Sequence, residues 1–122
     1  MGWAIEYTDE FSKWWNDLTE DEMASVDASV QLLEHFGPQL RFPHSSSIEG
    51  TSVKHMRELR IQHKGQPYRV LYAFDPRRVA ILLIGGNKQG NDKWYTKFIP
   101  IGEKLYKKHL ERLKGVIYDT SI

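Results

Sequence analysis

The chain has 122 residues, of which 40% are apolar and 27% are charged, proportions that are typical of a soluble globular protein. This length suits one domain and allows a core to form without a metal or a disulfide. The absence of cysteine excludes disulfides, thiolate metal sites and a cysteine nucleophile. No apolar run approaches the ~20 residues needed to cross a bilayer, and the first residues lack the pattern of a signal peptide. These features predict a single domain, residues 1–122, in the cytoplasm.

Charge is distributed unevenly along the chain. Residues 1–53 carry two basic and ten acidic side chains, a balance of −8. Residues 54–97 carry ten basic and three acidic side chains, a balance of +7. A segregated basic block is typical of a surface that binds a polyanion. The alternative is that acidic helices cap a basic sheet and that the charges are simply solvated.

The first third of the sequence predicts a short strand followed by a helical hairpin. Thr8 is a typical N-cap residue, and Thr19 with Glu22 has the spacing of a capping box, so each threonine precedes a helix. Gly37 followed by Pro38 predicts a helix end, because glycine tolerates a left-handed conformation and proline cannot continue the helix. The predicted elements are a strand over residues 3–7, a helix from Thr8 to about Leu18 and a helix from Thr19 to Gly37.

The rest of the chain predicts three strands and a final helix. The third of these strands is continuously apolar, which is typical of a central strand that is buried on both faces. The predicted segments are a loop over residues 39–53, strands over 55–63, 68–74 and 79–84, a polar loop over 85–92, a helix over 100–114 and a flexible tail over 115–122. The sequence therefore predicts an α+β fold, in which an N-terminal helical hairpin packs on a small twisted antiparallel sheet and a C-terminal helix follows.

Most enzyme signatures are absent from the sequence. It contains no phosphate-binding loop of the Walker type, no dinucleotide-binding glycine motif, no HExxH zinc motif and no GxSxG nucleophile motif. The five histidines lack the spacing of metal ligands. Residues 85–88 follow a strand and include two glycines and a lysine, but they lack the spacing of a nucleotide loop. The sequence therefore predicts a function that uses no metal and no cofactor.

The remaining candidates for a functional site are arginine, lysine, histidine and aromatic residues. They lie on the predicted sheet and on the loop that follows its last strand. Arg69 in the second strand faces the same way as apolar neighbours, so it needs a partner, either an internal acid such as Glu58 or a ligand phosphate. The later lysines alternate with aromatic residues, which suits an unstacked nucleic-acid strand. Alternatively, these aromatic residues anchor the loop on the core. The candidate RNA-contacting residues are Arg57, Arg60, His63, Lys93, Trp94 and Lys97.

Several short motifs follow one another in an order that is found in a known family. They are Met56–Arg60, Tyr68–Tyr72, Ile84–Lys88 with Trp94–Tyr95, and Pro100–Ile101 with Leu105–Tyr106. This ordered set resembles the HigB-like toxins of the RelE/ParE superfamily and, more narrowly, their phage-related branch. The resemblance spans residues 3–114 and implies the same order of helices and strands that the residue patterns predict.

The resemblance implies a small ribonuclease, the toxin of a type II toxin–antitoxin system, that cleaves mRNA in the ribosomal A site. A ribose 2′-OH would attack the adjacent phosphate. Arg69 corresponds to an arginine that stabilises the phosphorane, and Lys88 to the basic residue after the last strand. Tyr95 corresponds to a late aromatic residue that stacks on a base or assists proton transfer. The implied partner is a HigA-type antitoxin with a helix-turn-helix domain.

Two alternative functions stay open, because fold does not settle function. One is a ParE-like inhibitor of DNA gyrase, and the other is a non-catalytic module that binds RNA or protein. Glu58 departs from the family pattern, since some relatives carry lysines on this strand, and the identities of the general acid and base are open. Physical chemistry supports a ribonuclease, because fixed donors aimed at the phosphorane replace a metal and arginine grips phosphate oxygens in a fork.

Overall fold

Five strands, three α-helices and one turn of 3₁₀ helix at Gly37–Gln39 make up the computed structural model, which describes residues 2–121, with side chains described through residue 115. In chain order the elements are β1 (Ile5–Tyr7), α1 (Asp9–Asn16), α2 (Glu20–Phe36), β2 (Ser45–Ser47), β3 (Arg57–His63), β4 (Gln66–Phe74), β5 (Ala80–Asn87) and α3 (Trp94–Ser121). The predicted α+β fold, with a helical hairpin, a small sheet and a C-terminal helix, is confirmed. Within the described residues, no helix has both the length and the apolar character needed to cross a membrane.

The five strands form one sheet in the order β1–β5–β4–β3–β2. Neighbouring strands from β2 to β5 are antiparallel, whereas β1 pairs with β5 in parallel. The three strands that the sequence predicts between residues 55 and 84 form the centre of this sheet, and the short strand predicted over residues 3–7 is β1 at its edge. Lys64 and Gly65 connect β3 to β4 with φ angles of 50° and 77°, which is the backbone that a two-residue hairpin turn requires.

The edge strand β2 lies within the segment that the sequence predicts as a loop, residues 39–53. Ser45–Ser47 pair with β3, and the buried hydroxyl of Ser45 shares a 2.6 Å hydrogen bond with the hydroxyl of Tyr72. Three consecutive serines show no hydrophobic alternation, so the pairing with β3 alone defines the strand. The loop prediction was therefore wrong at these three residues.

Helices cover both faces of the sheet. On the hairpin face, α1 and α2 pack on a core that includes Leu33, Val70 and Leu82. On the α3 face, α3 packs on a second core that includes Leu71 and Leu83. Side chains of β4 alternate between the two cores as the sequence predicts, and β5 is buried on both faces, also as predicted.

The helix signals in the sequence are present in the structure. The Thr8 hydroxyl accepts a hydrogen bond from a backbone N–H in the first turn of α1 at 3.0 Å. Thr19 and Glu22 form the reciprocal capping box of α2. That helix ends at Gly37, whose φ is 58° and where a Cβ would lie 2.4 Å from the Trp3 ring. Glycine is required there both by the backbone and by the space.

The helix α3 begins at Trp94, six residues before the predicted start at Pro100. Proline is common in the first turn of a helix, but Pro100 lies inside this one. The helix continues to Ser121, beyond the predicted end at Lys114. The tail that the sequence predicts as flexible, residues 115–122, lies outside the residues with described side chains, apart from its first residue.

A buried carboxylate, Asp75, holds the turn between β4 and β5. It accepts hydrogen bonds from the guanidinium of Arg77 at 2.7 and 2.9 Å, and from the backbone N–H of Val79 at 3.2 Å. Nε2 of His109 in α3 lies 2.9 Å from the same carboxylate, and Glu6 of β1 pairs with Arg77. Burial alone would raise the pKa of Asp75, but hydrogen bonds from His109, Arg77 and Val79 lower the pKa below its usual range.

The lowered pKa of Asp75 predicts that the folded protein loses stability in acid. Its pKa is lower in the folded than in the unfolded protein, so its contribution is complete above the unfolded value and disappears as pH falls through the folded value. We expect the difference in free energy of unfolding between wild type and Asp75→Asn to be largest near neutral pH and to shrink below about pH 4. Urea unfolding over this range measures it, with Glu111→Gln, an exposed acid, as the matched control. A difference that does not change with pH would contradict this prediction.

Candidate functional site

A buried ion pair lies on the α3 face of the sheet, between β3 and β4. The side chains of Glu58 and Arg69 are 5% and 6% exposed, and Arg69 Nε lies 3.5 Å from Glu58 Oε1. A terminal nitrogen of Arg69 donates to the carbonyl oxygen of Tyr68 at 2.9 Å. Its Nε has no hydrogen-bond partner among the described residues. The sequence predicted that Arg69 pairs either with an internal acid or with a ligand phosphate. In the structure its partner is the internal acid Glu58.

The Glu58 carboxylate connects four elements of the fold. Its Oε1 accepts a 2.6 Å hydrogen bond from the hydroxyl of Tyr95, in the first turn of α3. Its Oε2 accepts from the hydroxyl of Ser46 in β2 at 2.6 Å and from the guanidinium of Arg60 in β3 at 3.3 Å. We define the Glu58 cluster as five side chains, the last of which directly follows β5: Glu58, Arg60, Arg69, Tyr95 and Lys88.

Tyr95 contacts an anion at its hydroxyl and a cation at its ring. Burial raises the pKa of Tyr95, and so do the hydrogen bond and the charge of Glu58, while Arg69 opposes part of this shift. The Lys88 ammonium lies 5.1 Å from the centre of the Tyr95 ring, within the range of a cation–π contact. The phenol therefore keeps its proton at neutral pH and is held from two sides.

Two local features bring Lys88 and Tyr95 together. The strand β5 extends to Asn87, so Lys88 stands directly at its end rather than within a loop of eight residues, 85–92. The helix α3 begins at Trp94, which places Tyr95 in the first turn. Gly86 permits this approach, because a Cβ there would lie 2.8 Å from Nε1 of the Trp94 ring.

The predicted RNA-contacting residues on the α3 side differ in how accessible they are. Arg60 is 29% exposed and belongs to the Glu58 cluster, and Lys93 and Lys97 are exposed at the start of α3. Trp94, in contrast, is 1% exposed and stacks on Phe98, with ring centres 4.6 Å apart. The Trp94 ring anchors α3 on the core, which is the alternative that the sequence left open, so its faces are not available to a nucleobase.

Arg57 and His63 lie on the hairpin face, opposite the Glu58 cluster. The guanidinium of Arg57 donates to the hydroxyls of Ser45 and Ser47 at 3.0 Å, and Nδ1 of His63 shares a 2.6 Å hydrogen bond with a serine of α2. Successive strand residues point to opposite faces, so residues three apart, such as Arg57 and Arg60, cannot share one. The structure does not bring Arg57 and His63 to the cluster, and the alternation in the sequence already contained this signal.

Two neighbours of the cluster carry no signal in the sequence. Ser46 donates to Glu58, and Phe42 lies with its ring centre 5.0 Å from the guanidinium carbon of Arg60. Both residues fall in the segment predicted as a loop, where no periodicity marks a residue that reaches the sheet. Only the pairing of β2 with β3 places them beside the cluster.

The Glu58 cluster combines three cations, one carboxylate and one phenol, at the end of β5 and the start of α3. Guanidinium and ammonium groups are the preferred donors to phosphate oxygens. A phenol that is hydrogen-bonded to a carboxylate carries a proton that can take part in acid–base catalysis. Among the side chains described, no group of three or more His, Asp or Glu residues is placed to hold a metal ion. A cavity of about 470 Å³ lies elsewhere, on the hairpin face, where Phe11, Trp15 and Val30 line it.

The fold is that of a known class of toxins. The structure of an arginine-to-alanine double mutant of the Escherichia coli toxin RelE in the free state matches this chain with a TM-score of 0.55. The match covers 92% of this chain and 98% of that chain at 12% sequence identity, so it concerns the fold alone. The architecture is therefore that of a RelE-type toxin.

The sequence comparisons give the family within this class. The model of the family "Phage derived protein Gp49-like (DUF891)" matches residues 13–107. "Putative toxin HigB3" of Mycobacterium tuberculosis H37Rv is 41% identical over 102 residues, which are 83% of this chain and 88% of that protein. "Putative toxin HigB2" of the same strain is 34% identical over 116 residues, which are 93% of this chain but 57% of that protein. The chain belongs to the Gp49-like family of HigB-like toxins in the RelE superfamily, as the ordered motifs predicted.

Proposed function

We propose that the protein is the toxin of a type II toxin–antitoxin pair and that it cleaves mRNA at the ribosome through the Glu58 cluster. One observation supports this most strongly. Arg69 from within β4, Lys88 at the end of β5 and Tyr95 at the start of α3 meet in one group through Glu58. Lys93 and Lys97, two positions before and after Tyr95 in the chain, are exposed. Under this proposal the protein acts in the cytoplasm, and a HigA-type antitoxin neutralises it.

The proposed reaction is a transesterification within the RNA chain. The ribose 2′-oxygen bonds to the adjacent phosphorus, and the bond between that phosphorus and the 5′-oxygen breaks. The products are a 2′,3′-cyclic phosphate and a 5′-hydroxyl. The 2′-OH loses a proton, and the leaving 5′-oxygen gains one. Negative charge on the phosphate oxygens grows in the transition state, so cations fixed beside them lower the barrier.

The residues of the cluster suit these steps. Arg69 is held by Glu58, so its guanidinium is oriented before a phosphate arrives and little reorganisation is needed. Lys88 acts on the same oxygens as a point charge. Tyr95 donates its hydroxyl proton to Glu58 in the free protein, and in the proposed reaction it donates that proton to the leaving oxygen. The Glu58 carboxylate is the group of the cluster that can take up a proton.

A non-catalytic module that binds RNA or protein is the second candidate function. The observation in its favour is that Arg69 already has an anionic partner, Glu58, without any ligand. A buried ion pair of this kind also occurs for purely structural reasons. The two functions differ in what they do to RNA, because a binding module leaves the chain intact.

Cell-free translation with the wild-type protein tests the proposed function. New mRNA 5′ ends, mapped by primer extension, are expected within the translated region, and the same mixture without ribosomes should not show them. Stoichiometric RNA binding without new ends would support the binding module. Intact mRNA with normal protein synthesis would contradict the proposal, and DNA breaks that depend on gyrase would then indicate the ParE-like alternative.

A further inference from the structure

Phe42 is an exposed aromatic residue beside the Glu58 cluster. It is 70% exposed, more than Tyr7 or Phe36, the other large exposed apolar side chains of the described surface. A single exposed apolar residue is common on protein surfaces. The ring of Phe42, however, lies against the Arg60 guanidinium, with 5.0 Å between the ring centre and the guanidinium carbon.

The backbone holds Phe42 in a defined position. The carbonyl oxygen of Arg41 accepts hydrogen bonds from the backbone N–H groups of His44 and Ser45, at 3.0 and 3.1 Å. The carbonyl oxygen of His44 in turn accepts from the N–H of Arg60 at 2.9 Å. These bonds close a tight turn around Phe42 and attach it to β3, so the ring is presented by a fixed turn rather than by a long loop.

Contacts run without interruption from Phe42 to the proposed reaction centre. Arg60 contacts Phe42 on one side and Glu58 on the other, with 3.3 Å to the carboxylate. Glu58 accepts from Tyr95, whose ring lies against Lys88. One row of side chains on the α3 face therefore joins an exposed aromatic ring to the residues proposed to act on phosphate.

We propose that Phe42, backed by Arg60, is a stacking platform for an unpaired base of the RNA strand whose scissile phosphate lies at Arg69 and Lys88. This inference rests on the proposed function and adds a binding residue to it. Every base has a π-face, so an aromatic ring stacks on it, and the guanidinium neutralises the phosphate that comes with it. The neighbouring side chains Arg41 and His44 are exposed and add no anion to the platform, which favours a nucleic acid as the occupant.

Three variants separate the platform from a general loss of fold. Phe42→Leu removes the ring and keeps an apolar side chain, Phe42→Trp keeps a stacking surface, and Arg112→Ala is an exposed control on α3. Phe42 and Arg112 are both exposed, so all three variants are expected to unfold at the same temperature as the wild type. The probe is a ribosome programmed with an mRNA whose A-site codon carries 2′-O-methyl groups, which permits binding without cleavage.

We expect Phe42→Leu to bind this complex roughly 5- to 150-fold more weakly than wild type, as the loss of one base stack implies. Phe42→Trp and Arg112→Ala should bind like wild type. On unmodified mRNA, Phe42→Leu should also cleave more slowly at limiting toxin. If wild type cleaves mRNA and Phe42→Leu binds and cleaves equally well, the platform is overturned while the proposed function stands. If wild type binds through Phe42 but never cleaves, the proposed function fails and the platform stands.

Discussion

Replacing Arg69 by alanine is expected to lower the rate of mRNA cleavage about 10²- to 10³-fold, the usual effect of removing one fixed donor from a developing oxyanion. The reason is that the guanidinium is oriented by Glu58 before substrate arrives, so no other side chain takes its place without moving. Single-turnover cleavage of mRNA on programmed ribosomes measures the effect. Arg69→Lys should recover only part of the rate, because an ammonium keeps the charge but lacks the fork.

The control for Arg69→Ala must address folding, since the substitution removes the buried cation beside Glu58 and leaves only Arg60 to pair with that carboxylate. Circular dichroism and urea unfolding establish whether the variant is folded. Lys88→Ala gives an independent test of the same site, because Lys88 lies at the end of β5 and is not part of the buried pair. The site assignment would not survive folded variants at both positions that cleave mRNA at the parental rate.

Replacing Glu58 by leucine is expected to lower the free energy of unfolding by about 3–5 kcal/mol, the cost of leaving a buried charge without its partner. Arg69 is only 6% exposed, so water solvates its charge poorly, and the hydroxyls of Tyr95 and Ser46 lose their acceptor. Equilibrium unfolding in urea measures the loss.

A double variant separates the ion pair from the packing around it. Glu58→Leu combined with Arg69→Met replaces both charges by apolar groups of similar size, which is often neutral or stabilising. The double variant is expected to regain most of the stability that Glu58→Leu loses, and the coupling between the two sites gives the strength of the pair. Equal stability of wild type and Glu58→Leu would show that the pair contributes nothing to the fold.

Local chemistry in the sequence was enough to predict most of the fold. The capping box at Thr19, the stop at Gly37 and the continuously apolar β5 each depend on neighbouring residues, and each is present in the structure. Long-range pairing was not predictable in the same way. Ser45–Ser47 form a strand only because they pair with the edge of β3. The predicted helix start at Pro100 was wrong, because α3 begins at Trp94, whose ring packs on the core.

The candidate site was predictable only in part for the same reason. Alternation in β4 correctly places Arg69 among apolar neighbours, and the need for a partner follows from burial. The contact between Tyr95 and Glu58 depends on where α3 starts relative to the sheet, which no local pattern states. Trp94 can be buried only because Gly86, in β5, has no side chain to occupy the same space.

The parallel pairing of β1 with β5 has a consequence for how the protein is made. The Thr8 hydroxyl donates to the carbonyl oxygen of Leu83, a partner 75 residues later in the chain. An N-terminal segment emerging from a ribosome therefore waits for most of the chain before its strand can pair, and closing so long a loop is slow. Lys88 and Tyr95 follow later still. The order of synthesis thus delays assembly of the Glu58 cluster until the final helix begins, so that an incomplete chain carries no finished site.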